Sequence, residues 1–314
     1  MRPRVVTTMA VTLLAACAKQ EKTSAMDSAK TAAPAGAAAA TKLGETSGLQ
    51  APESVRYDPE LDVYYVSNIN GNPGQKDGNG FIAVVRADST GAPTKMLAES
   101  GKNGVKLDAP KGLAIVGDTL WVADIDHVRA FNRRTGAPIA DIDLSAQKAT
   151  FLNDVVVGGD GAIYVTDSGL ASDAKGAMTH PGKDQIFKIS GRTATVMTPD
   201  SLDTPNGITW DKTNGRFILA PLGAKSVQTW KPGDKAAATL VSGPGQYDGV
   251  EMLQDGRILV TSWADSTVNV IQNGTLSKLV TGVGSPADIG VDTKRMVVAI
   301  PRLSDNKVEY YKIP

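Results

Sequence analysis

From Leu49 onward the chain alternates short apolar runs with turn residues, and the same unit recurs six times. Each unit opens with a small or ring-containing residue and one polar residue, followed by a β-run. The six openings are Pro52-Glu53-Ser54-Val55, Pro110-Lys111-Gly112-Leu113, Leu152-Asn153-Asp154-Val155, Pro205-Asn206-Gly207-Ile208, Tyr247-Asp248-Gly249-Val250 and Pro286-Ala287-Asp288-Ile289. A turn signal then follows, such as Asp160-Gly161, Asn214-Gly215 or Asp255-Gly256, and a second β-branched run, such as Ile163-Tyr164-Val165-Thr166 or Ile258-Leu259-Val260-Thr261. Asp-Gly or Asn-Gly between two such runs is the signature of a tight hairpin, because the turn needs positive φ at its central positions. No part of this region carries a long apolar period of 3.6 residues, so a helical domain is not expected there.

The polar positions of successive openings are 58, 42, 53, 42 and 39 residues apart. About four strands per 40–45 residues is the signature of a propeller blade, so the pattern predicts an all-β, six-bladed β-propeller. The extra length of the first and third repeats falls in two Gly-, Asn- and Asp-rich loops, residues 68–80 and 168–183. The sixth repeat holds only three runs before the chain stops. An open edge is an aggregation hazard, so the last blade is expected to be closed by an N-terminal strand from within residues 41–50.

The N-terminus reads differently. Arg2 and Arg4 precede an apolar run, Val5–Leu14, that is too short to span a bilayer and suits a signal peptide. It ends in Leu14-Ala15-Ala16-Cys17, which resembles the bacterial lipoprotein cleavage site, with Cys17 as the lipidated residue. Ala18, rather than an aspartate, favours the bacterial outer membrane facing the periplasm. Residues 18–46 are rich in Ala, Lys, Thr and Ser and read as a flexible tether. The expected organisation is therefore a signal segment over 1–17, a tether over 18–46 and the propeller over 47–314.

Composition narrows the chemistry. Lys and Arg number 33 and so do Asp and Glu, which gives no basis for binding nucleic acid or an anionic surface. A lipid anchor would be the chain's one tie to a membrane, and a monomer is expected. One cysteine and two histidines, in 314 residues, argue against a disulfide, a cysteine zinc site or a His-rich centre.

In a propeller the first strand of each blade lines the central channel. The positions at the channel mouth are then Glu53, Lys111, Asn153, Asn206, Asp248 and Ala287. Two carboxylates and two amide carbonyls on one axis make a hard-oxygen site, suited to Ca²⁺, with Mg²⁺, Mn²⁺ or Zn²⁺ as alternatives. A Glu53–Lys111 ion pair plugging the channel is the structural alternative. His180, in the second long loop, is either a solvated side chain or a substrate contact. His127 opens a third strand and is expected to be structural. Trp121, Trp210, Trp230 and Trp263 fall in or beside strand runs and are expected to pack the blades.

These contexts together resemble the senescence-marker-protein/gluconolactonase/luciferin-regenerating-enzyme family. That family uses a Glu of the first blade, an Asn in Pro-Asn-Gly and an Asp in Asp-Gly for a divalent cation, and a second Asn toward the substrate. The resemblance implies that Glu53, Asn206 and Asp248 hold a metal, with Asn153 completing the site and contacting substrate. Two departures stand out. Phe151 occupies the position where family lactonases often carry an arginine, and Lys111 enters the ring beside Glu53. The implied function is a metal-dependent hydrolase of a lactone or related ester, with Asp248 as the group that orients or deprotonates water and Lys111 and Asn153 near the small-molecule substrate. The alternative class is a non-catalytic extracytoplasmic propeller that binds a ligand or protein.

Overall fold

The computed structural model describes residues 39–314 apart from Thr94, Asp200 and Ser201. The expected signal segment, Cys17 and most of the tether lie outside these residues. Six four-stranded antiparallel sheets make up the described chain, and no α-helix occurs in it, only two single 3₁₀ turns, Ser145–Gln147 and Leu303–Asp305. The innermost strands of the first five blades are Pro52–Asp58, Pro110–Val116, Leu152–Val157, Pro205–Asp211 and Tyr247–Met252. Each is followed outward by three further strands in chain order, the third blade skipping a loop hairpin between its second and third strands. The second long loop adds a small hairpin of its own, Ala171–Ser172 with Met178–Thr179.

Why the runs are continuously apolar is visible in how the blades pack. Successive strand residues face opposite sides, and each blade is covered on both. Tyr64 enters the cluster between the sixth and first blades with Val297 and Tyr310, while Tyr65 enters the cluster between the first and second with Leu113 and Phe131. Further clusters join the second to the third blade, the third to the fourth, the fourth to the fifth and the fifth to the sixth. A seam between every adjacent pair means that the ring is closed. Trp210 and Trp230 pack with Phe217 in one seam, and Trp121 against another, as expected.

Closure is double. Thr41–Thr46 pairs antiparallel with Lys307–Lys312, from Thr41 opposite Lys312 to Thr46 opposite Val308, and supplies the fourth strand of the last blade. The sheet thus begins at Thr41, before the expected propeller boundary at residue 47. At the channel, the inner run of the last blade is shorter than its sequence pattern predicts: it forms a strand only over Gly290–Asp292, with an isolated bridge from Pro286 to Arg302 before it. The preceding Asp288 instead bonds sideways to the first blade: its N–H donates to the Glu53 carbonyl (2.9 Å) and its carbonyl accepts from the Val55 N–H (3.2 Å).

Near the axis the inner strands converge so closely that side chains must alternate in size. A Cβ on Gly207 would lie 2.2 Å from the Asp248 carbonyl oxygen, one on Gly249 2.6 Å from the Asp288 Cα, and one on Gly112 2.4 Å from the Asp154 Cα. The glycine after Asn206 and the one after Asp248 are therefore steric requirements of the ring. Asp154 sits against Gly112 and uses the space it leaves. Its carboxylate accepts the N–H groups of Val155 (2.7 Å) and Ile208 (2.8 Å), stapling the third blade to the fourth. Hydroxyls of second strands add similar staples: Thr166 Oγ1 accepts from Asp154 N–H and donates to the Asn206 carbonyl.

Candidate functional site

Each inner strand breaks register just after its opening residue, between Pro52 and Val55, Pro110 and Leu113, Leu152 and Val155, Pro205 and Gly207, and Tyr247 and Val250. Such a bulge re-aims the residue within it. The bulged residues are Glu53, Lys111, Asn153, Asn206 and Asp248, and with Ala287 all six line one cavity of about 360 Å³. The four oxygen-bearing members are at most 6% exposed, and Lys111 is 1% exposed.

Their bonding is incomplete in a specific way. Glu53 Oε2, Asn153 Oδ1, Asn206 Oδ1 and Asp248 Oδ1 are all buried and have no hydrogen-bond partner. Buried polar atoms are nearly always paired, so four such oxygens at one cavity need an explanation. Asn153 shows that the orientation is enforced: its Nδ2 donates to Ser168 Oγ (3.0 Å), which in turn donates to the Pro205 carbonyl (2.6 Å), leaving the amide oxygen unpaired. An acceptor-only set of two carboxylates and two amide oxygens fits a hard divalent cation.

The electrostatics point the same way. Burial, then the Asp248 and Asp288 carboxylates, push the Glu53 carboxyl well above its ordinary range, with Lys111 opposing. Burial and then Asp288 do the same to Asp248. Lys111 is pushed down to about 8 by burial, against the pull of Glu53 and Asp124. The expected alternative, a Glu53–Lys111 ion pair, does not form. Lys111 Nζ donates to the Ala109 carbonyl (3.0 Å) and lies 4.2 Å from the centre of the Phe151 ring, and the Glu53 Oε2 stays unpaired.

Below this layer the channel is filled by paired charge. Arg56 bonds Glu251 and donates to the Leu113 carbonyl, and Ser54 Oγ donates to Asp288. The two long loops meet above the cavity: Asn72 Nδ2 donates to the Gly176 carbonyl (3.1 Å), and Ser172 Oγ bonds Asn72. Pro73 of one loop and Leu170 and Met178 of the other line the cavity.

His180 does not join the cavity lining. It is 44% exposed at its side chain and pairs through Nε2 with Asp184 Oδ1 (2.8 Å), which holds it on the outside of its loop. Trp263 departs from the blade-packing expectation. It lies just past the second strand of the fifth blade, its N–H donates to the Pro286 carbonyl (3.0 Å), and its ring lines the cavity. The signal for it was its place two residues beyond the end of an apolar run. Leu222 and Leu303 were likewise not anticipated, since neither stands out from surrounding loop residues.

A second acidic group lies away from the axis. Asp126, His127 and Asp143 bring ligand-type atoms within 4.8 Å of one another, the one such His/Asp/Glu/Cys group among the described residues. Cations of the protein already serve it: Lys76 binds Asp126, and Arg129 Nη1 reaches Asp141 (2.9 Å), which also takes His127 Nδ1 (2.6 Å).

The family model of the SMP-30/gluconolactonase/LRE-like region matches residues 52–291. Among solved structures, a presumed gluconolactonase superposes with a TM-score of 0.65 at 15% identity, over 89% of this chain and 93% of its own. A streptogramin B lyase gives 0.58 at 13%, over 88% and 97%. A protein of unknown function from Bacteroides thetaiotaomicron gives 0.59 at 12%, over 87% and 73%. At these identities the structural likeness concerns the fold. No curated protein sequence matches the chain.

Proposed function

The chain belongs to the SMP-30/gluconolactonase/LRE-like family, and from that premise we propose that it is a metal-dependent hydrolase of a lactone or related ester. The observation that carries this reading is the set of four buried, unpaired oxygens on Glu53, Asn153, Asn206 and Asp248 facing one cavity. Glu53, Asn206 and Asp248 would hold the ion, Ca²⁺ in the first instance, with Asn153 completing the set. Bound there, a divalent cation supplies Lewis-acid polarisation of a carbonyl.

The protein's own groups supply the rest. Asp248 orients the attacking water and takes its proton, the role of a positioned general base. Asn153, its amide locked by Ser168, presents a fixed polar atom to the substrate. Lys111 lies at the same floor with a lowered affinity for its proton, so it can donate a hydrogen bond or a proton to the departing oxygen. The two bridged loops limit water entry from above. In the cell we place the propeller on the envelope by a lipid on Cys17.

Metal analysis of the purified protein, followed by hydrolysis of a broad lactone panel with and without chelator, tests this function. About one equivalent of divalent metal and chelator-sensitive hydrolysis are expected. A metal-free protein inactive on every lactone, before and after metal addition, would remove the proposal.

A further inference from the structure

The floor of the cavity is polar, but its walls are not. Above the ring they are formed by Phe151, Leu170, Leu222, Trp263 and Leu303, with Met178 at the mouth. Trp263, the one aromatic wall residue with a polar atom, has its indole N–H taken up by the Pro286 carbonyl and the Asp248 carboxylate. Phe151 adds a further hydrocarbon face, its ring centre 4.2 Å from the Lys111 Nζ at the floor. Gln246 alone adds a polar side chain to the walls. A ligand reaching the four oxygens therefore buries its remaining surface against hydrocarbon.

Given the hydrolase reading above, on which this rests, we infer that the substrate is a lactone bearing an alkyl or aryl group, not a polyhydroxylated sugar lactone. Ring hydroxyls of a sugar lactone would lose water and find only the Gln246 side chain as a polar partner on these walls, which is costly for each group left unpaired. An alkyl substituent gains on the same transfer. Water adds to the carbonyl carbon, the ring C–O bond breaks, and the departing oxygen takes a proton. The product is an apolar hydroxy acid, ionised at neutral pH. Its new carboxylate and hydroxyl stay at the polar floor while the alkyl part remains on the walls.

The test compares γ-butyrolactone, γ-hexalactone and γ-nonalactone with glucono-δ-lactone on the metal-loaded protein. The specificity constant should rise with chain length, by up to about fourfold per methylene until the walls are filled. γ-Nonalactone should exceed glucono-δ-lactone by at least about tenfold. Leu222→Asn and Leu170→Asn, both at the rim, should flatten the dependence on chain length. A second readout uses alkyl γ-lactams, which are not hydrolysed, followed by tryptophan fluorescence with Trp263→Phe as the control. Their affinity should rise with chain length and the signal should vanish in the control.

Hydrolysis that favours glucono-δ-lactone would overturn the inference and leave the hydrolase reading intact. Chain-length-dependent lactam binding without hydrolysis of any lactone would uphold an apolar ligand and remove the hydrolase reading. Lactam binding independent of chain length, in a protein that hydrolyses no lactone, would overturn both.

Discussion

Asp248 combines two demands on one carboxylate. It lies nine-tenths buried beside Asn206 and near Asp288, and one of its oxygens has no partner. Asp248→Asn keeps the shape and an oxygen while removing the charge and the base. Lactone hydrolysis should fall by about 10²-fold or more, and calorimetric metal affinity should fall with it; full retention of both would take Asp248 out of the mechanism. Lys111 poses the opposite question. Since it pairs with a backbone carbonyl and a ring rather than with Glu53, Lys111→Met should cost far less than the about 3–5 kcal/mol expected when one partner of a buried ion pair is removed. The sign with pH follows from its depressed pKa of about 8. Between there and its ordinary 10.5 the unfolded chain binds the proton more tightly, so burial of this lysine penalises folding fully below pH 8 and less as pH rises. Urea titrations of wild type and Lys111→Met at pH 7 and pH 9.5 should therefore show the variant's relative stability declining at the higher pH. The polar ring was legible in the sequence because each member opens a repeat. The apolar walls were not: Leu222, Trp263 and Leu303 carry no periodic signal, and only the closed ring brings them to one mouth.

Strand pairing is where the blades differ. The last blade has its outer strand supplied from the other end of the chain, and Glu309 ties the two together. Lys42 Nζ and Lys307 Nζ each lie 2.9 Å from its Oε1, and Tyr311 donates to its Oε2 (2.9 Å). Burial alone would push this carboxyl up, but the bonds from Lys42, Lys307 and Tyr311, with Arg302 nearby, hold it at about 2. A carboxyl bound this way stabilises the fold fully above its ordinary range near 4.5, and that contribution fades as pH falls toward 2. Glu309→Gln should destabilise the protein by about 1–3 kcal/mol at pH 7, and the gap to wild type should close on acidification, as read from chemical denaturation at pH 7 and pH 3. An unchanged gap would show that Glu309 holds the two strands without help from its charge. The closing strand was foreseeable by counting, because three runs cannot complete a four-stranded blade. The sideways bond of Asp288 to the first blade was not, since it depends on how six strands crowd one axis rather than on any local pattern.

For the whole molecule, the lipid anchor proposed at the N-terminus can be tested apart from the ring. Cys17 ends a short apolar run and is the chain's one cysteine. Cys17→Ser should move the protein from the detergent-extracted membrane fraction to the soluble fraction without altering lactone hydrolysis; membrane retention of the variant would exclude that cysteine as the anchor. The ring carries a different constraint, set by the pairing of Thr41 with Lys312. Among the described residues, the first strand is completed by the last. Loop-closure entropy rises by only about 0.6 kcal/mol per doubling of length, so the equilibrium cost of this long-range contact is small, and its effect is on rate. Before these two strands meet, the other blades stand with raw edges exposed, the state most open to pairing with another chain. Loss of Lys307–Lys312 would therefore leave the other blades without their clasp, so damage to one strand becomes a fault of the entire ring.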